Sequence, residues 1–128
     1  MSNEQVAKEK EAYVELLCGH LEGFVNSLRM LPEDKWDWTY APSAPTPRIL
    51  AAHAWQWLQC DRQHIAEPDA LKHKDIPEPL KDPQAMCDAL AEETERWRAL
   101  ILGLTAEELD APRRQFNGDH LMTVRGFV

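Results

Sequence analysis

No apolar run in this chain approaches the roughly twenty residues that cross a bilayer. Residues 1–12 are polar and mostly charged, unlike a secretory signal, so the sequence predicts a cytoplasmic protein with no membrane partner. Basic charge is scarce: 14 Lys and Arg stand against 22 Asp and Glu, for a formal net charge of -8. Nucleic-acid binding draws its affinity from neutralised phosphates, and this balance argues against it. The acidic residues are spread along the chain, which suits a soluble surface better than a docking patch for a basic partner. Glycine occurs five times and builds neither a phosphate loop nor a Gly-x-Ser-x-Gly elbow, and there is no His-Glu-x-x-His. The three cysteines, Cys18, Cys60 and Cys87, form no Cys-x-x-Cys pair, so reduced and mostly buried thiols are expected.

What is present is helical periodicity. The length of 128 residues suits one domain, and neither a strand pattern nor a repeat is evident. Ser2-x-x-Gln5 reads as a capping box opening a first helix over residues 3–31, with the stripe Val14, Leu17, Leu21, Phe24, Leu28, Leu31 on one face. Pro32 ends it, and a loop rich in proline and aromatics follows. Thr46–Pro47 is an N-cap and first-turn proline for a second helix over 46–66, apolar nearly all round from Ile49 to Leu58 and so expected to be the most buried. Residues 67–81 hold Pro68, Pro77 and Pro79 and read as an extended connection, long enough to cross the length of a bundle and leave the second and third helices parallel. Asp82–Pro83 opens a third helix to residue 103, with the seam Met86, Leu90, Glu93, Trp97, Leu100, Leu104. Thr105-x-x-Glu108 starts a short helix over 105–110, and Thr123 is placed to cap a further one. The predicted fold is all-α. Three amphipathic helices leave an apolar seam that more chain or a second chain has to cover.

His53 stands in the most apolar segment, Thr46–Pro47–Arg48–Ile49–Leu50–Ala51–Ala52–His53–Ala54–Trp55–Gln56–Trp57–Leu58. An imidazole desolvated among alanines and tryptophans needs a hydrogen bond or a metal, and both readings stay open on spacing alone. Ile49, His53, Trp57, Cys60 and His64 share one stripe, but His64 lies about 16 Å beyond His53 along the axis, too far to share an ion. His20 flanks the first-helix seam, His73 sits in the extended connection, and His120 precedes the last helix. Glu93, on the third-helix seam, is either an acceptor orienting a ligand or acting as a base, or a carboxylate that reaches solvent at the bundle edge or pairs with Arg96. Trp55, Trp57 and Trp97 read as core fillers, whereas Trp36 and Trp38 suit either a wall beside His53 or a clamp on the loop. Gly19-x-x-x-Gly23 suggests close approach of another helix.

The run Leu31–Pro32–Glu33–Asp34–Lys35–Trp36–Asp37–Trp38, then Ala41–Pro42–Ser43 and the His53 segment, resembles the start of the second helix in the DinB-like family of four-helix-bundle metalloenzymes. The resemblance implies a DinB-like bundle with long crossover connections. It also implies that His53 is one of three ligands to a divalent metal (Zn, Ni or Fe), and that the other two form a His-x-x-x-His pair on a fourth helix largely beyond Val128. Family members carry an aromatic before the cap hydroxyl; Pro45–Thr46 keeps only the hydroxyl. Relatives that use bacillithiol or mycothiol imply a thiol-dependent transferase or isomerase with a small-molecule thiol cosubstrate. The competing reading is a non-catalytic helical module that uses its open seam to form a homodimer or to bind a partner helix.

Overall fold

The computed structural model describes residues 2–67, 76–114 and 121–127. Its first helix is built in three parts: α1 (Asn3–Tyr13), a π-helical turn (Val14–Cys18) and α2 (Gly19–Met30). Ser2 Oγ accepts from Gln5 N while Ser2 N donates to Gln5 Oε1, closing the capping box. The π turn inserts one extra residue into the helical phase. Cys18, Val25 and Leu28 therefore reach the core, while Leu16 is left 61% exposed and Leu17, Leu21 and Phe24 are half-buried. The even stripe read from Val14 onward is broken by this phase shift.

A 3₁₀ turn at Glu33–Lys35 leads into the loop before α3 (Pro47–Ala66). Thr46 Oγ1 accepts from Ile49 N at the start of α3, and Asp82 Oδ2 accepts from Ala85 N at the start of α4 (Pro83–Gly103). Arg48 staples the loop in place. Its guanidinium lies 5.8 Å from the buried Trp36 ring and bonds to Asp37 Oδ1 (2.8 Å) and Lys81 O (2.6 Å). Trp36 and Trp38 thus part company: Trp36 fills the core, and Trp38 is exposed against Tyr40.

The core has two ends. One gathers Val25, Leu28, Trp36, Ala51, Trp55, Met86, Cys87 and Leu90; the other gathers Val6, Cys18, Ile65, Trp97, Ile101, Leu104, Leu109 and Val124. α3 and α4 both run from the first end to the second, so they are parallel. The first helix runs the other way. α4 packs against both the first helix and α3. The three long helices therefore take three corners of a square, and the corner next to both the first helix and α3 carries no described long helix.

After α5 (Ala106–Leu109), β1 (Pro112–Arg114) pairs antiparallel with β2 (Leu121–Thr123), a short ribbon that no sequence pattern announced. α6 (Val124–Phe127) follows, with Thr123 Oγ1 accepting from Gly126 N. Arg125 ties α6 down through Glu9 and Asp110, and Tyr13 Oη donates to Glu9 Oε1. Arg125 holds the Glu9 carboxyl below its usual range, while burial and then the bond to Glu9 push the Tyr13 phenol up. His73 and His120 lie outside the described residues.

Two expectations fail here. α3 is not the most buried helix, because it exposes Ile49, Leu50, His53 and Trp57, whereas α4 buries its whole seam as far as Trp97. Among the described residues no helix comes within 4 Å of a Cβ built on Gly19 or Gly23. Gly23→Ala should therefore stabilise the fold by up to about 1 kcal/mol, because it removes backbone freedom from the unfolded chain at no steric cost. Urea denaturation of the two proteins measures this, and a loss of stability would show a close contact at Gly23.

Candidate functional site

Two contacts set the rotation of α3 on α4. Trp97 Nε1 donates to Leu58 O at 3.0 Å, and Arg62 Nε meets Glu93 Oε1 at 2.5 Å. Residues on a helix turn by about 100° each, so His53, nine positions before Arg62, points to the opposite side. His53 is accordingly exposed, correcting the expectation of a desolvated imidazole. Its ring stands edge-on to Trp57, with centroids 6.1 Å apart, and no hydrogen bond engages it among the described residues. Trp57 is a partner in this exposed strip rather than a core filler.

The stripe running through His53, Trp57, Cys60 and His64 changes character along its length. Cys60 and His64 are buried where α3 meets β1 and α6, and Arg113 Nε bonds to Ile65 O at 2.9 Å there. Farther up, Trp57 is partly exposed and His53 exposed. On the first helix, His20 is exposed and lines an open cavity of about 400 Å³ with Tyr13, Leu16, Leu17 and Leu21.

Glu93 is fully buried. Arg62 grips both its oxygens, and Arg96 adds a contact at 3.3 Å. A carboxylate with two arginines on it is held as a structural anion, not presented as a base. The pairing with Arg96 was open to sequence reasoning; the larger part played by Arg62 was missed. The signal for it was there, because Arg62 continues the Ala51, Trp55, Leu58 face at helical spacing and so delivers a cation to the α4 seam.

Asp61 was also missed. It is half-buried, no hydrogen-bond or ion-pair partner engages it among the described residues, and desolvation raises its pKa. It lies about 12 Å along the axis from His53, too far for the two to share an ion. The three thiols, all free and buried, have pKa values raised by desolvation and are poor nucleophiles.

The described residues do not by themselves make a metal site. No group of three His, Cys, Asp or Glu side chains among them is placed to hold an ion. His53 offers an exposed imidazole. No helix among the described residues is long and apolar enough to cross a membrane.

The DinB superfamily model matches residues 19–128. The chain belongs to the DinB superfamily. Among solved structures it resembles YfiT from Bacillus subtilis, described as a probable metal-dependent hydrolase with an unusual four-helix bundle topology. The TM-score is 0.64 at 18% identity, with 97% of this chain and 75% of that chain covered. The parallel α3 and α4 and the mostly helical build agree with a DinB four-helix-bundle fold, so the all-α expectation stands, with the β1–β2 ribbon as an addition. No curated protein matches the chain.

Two predictions follow from the charged groups. Arg62→Ala leaves the buried Glu93 carboxylate with the longer Arg96 contact and should cost on the order of 3 kcal/mol in urea unfolding, well above the cost of Glu93→Gln, which removes the buried charge itself. Asp61 behaves oppositely. Its folded pKa is raised, so its contribution is favourable at low pH, where it is protonated, and is lost as pH rises through the folded pKa. Asp61→Asn should therefore raise the melting temperature at pH 7, and the gain should vanish as pH falls below the ordinary carboxylate range.

Proposed function

We propose that this DinB-superfamily chain is a metal-dependent cytoplasmic enzyme in which His53 supplies one ligand to a divalent cation, with Zn, Ni or Fe as the fitting ions for an imidazole donor. The observation that carries the reading is the placement of His53. Its ring is accessible and uncommitted, and it stands on an apolar strip of α3. The remaining donors come from outside the described residues. YfiT, of like fold, is described as metal-dependent, which supports the same class here.

The reaction we favour is thiol-dependent transfer or isomerisation with a small-molecule thiol as cosubstrate. Asp61 is the base available for it. A half-buried carboxylate with a raised pKa accepts a proton more readily than an exposed one, and the apolar surroundings that raise its pKa also keep water from a reacting thiol. Hydrolysis, the activity attached to YfiT, uses the same base on a water molecule. Glu93 takes no part, because Arg62 and Arg96 hold its charge.

Calorimetric titration with Ni²⁺ and Zn²⁺ tests the reading. The chain should bind, and His53→Ala, with unchanged helical circular dichroism, should weaken binding by more than about tenfold. Asp61→Asn should leave metal affinity intact and remove thiol or hydrolytic turnover. Equal affinity in the chain and in His53→Ala would sink the assignment of His53.

A further inference from the structure

We infer that Arg62 and Glu93 are positioning residues for His53: their ion pair selects the rotation of α3 that turns this imidazole outward, and adds little to stability. The inference deepens the metal reading above, on which its affinity measurement rests. A fully buried carboxylate is a costly way to join two helices. Desolvation offsets most of the attraction between such partners, and well-packed apolar side chains replace them with little loss of stability or with a gain. What a directed pair supplies, and apolar packing lacks, is a single arrangement.

α3 needs that direction. From Ile49 to Cys60 it carries no Asp, Glu, Lys or Arg. Burial of apolar area is non-directional, so several rotations of such a helix cover similar area against α4. Arg48 pins the start of α3 to Asp37 and to Lys81 O, both outside α4. Arg62 is the next cation along α3, and it meets both oxygens of the buried Glu93. Arg96 holds the same carboxylate from within α4. One turn before Arg62, Leu58 O accepts from Trp97 Nε1 at 3.0 Å, a bond that requires this rotation and so reports it. Among the described residues His53 makes no hydrogen bond of its own, and the ring beside it, Trp57, rides on the same helix. His53 therefore points where the rotation of α3 points it.

The test replaces both charges at once, because removing Arg62 alone leaves Glu93 with only the longer Arg96 contact. Arg62→Met combined with Glu93→Met should keep the helical circular dichroism and an equal or higher melting temperature. The Trp97 indole N–H should nevertheless exchange with solvent about tenfold faster, and Ni²⁺ affinity should fall about tenfold although His53 is untouched. Arg62→Lys, with Glu93 in place, should keep both protection and affinity. A double variant that melts lower would overturn the proposal, because the pair would then act through stability. Undiminished Trp97 protection, or lost protection with unchanged Ni²⁺ affinity, would overturn it as well. A parent chain that binds no Ni²⁺ removes the metal reading but not this one, which Trp97 exchange in the double variant then decides.

Discussion

The Glu93 carboxylate, wholly buried between Arg62 and Arg96, is the constraint around which the described structure is arranged. A charge taken out of water has to be met by opposite charge at short range, and that need fixes α3 against α4 in one register and one rotation. With Leu58 and Arg62 turned to α4, every side chain half a turn away is turned outward. The exposure of His53 descends from this pairing.

α4 is consequently the spine of the molecule. It lies between the first helix and α3, and its buried side chains from Met86 to Ile101 contribute to both ends of the core. Lys10 Nζ reaches the carbonyls of Leu102 (2.8 Å) and Leu104 (3.0 Å), placing a cation at the C-terminus of α4 where the helix dipole is negative. The Arg125 contacts to Glu9 and Asp110 close the same end by seating α6 on the first helix. One end of the bundle is thus tied by charge and by the β1–β2 ribbon. The other is held by packing around Trp36 and Trp55 and by the Arg48 staple.

The two buried or half-buried carboxylates of the α3–α4 pair differ in their partners. Among the described residues no cation compensates the half-buried Asp61, and its desolvation costs stability at neutral pH. Glu93, a carboxylate buried more deeply, is compensated and silent. The difference lies in partners, not in residue type.

The sequence by itself determined the helical fold, because caps and periodicity are local physics. Ser2 with Gln5, Thr46 with Pro47, Asp82 with Pro83 and Thr105 with Glu108 act within a few residues of themselves, and the structure shows each of them capping. The parallel course of α3 and α4 was legible too, since the length of the connection permitted it. Tertiary structure alone decided which face of α3 is buried. A segment apolar nearly all round carries no amphipathic signal, so its rotation is set by two long-range contacts, Trp97 with the Leu58 carbonyl and Arg62 with Glu93. It also decided the π turn at Val14–Cys18, which moved Cys18 into the core and Leu16 out of it. His53 could be found from its neighbours in sequence, but that it faces outward depended on a cation nine residues away and an anion on another helix.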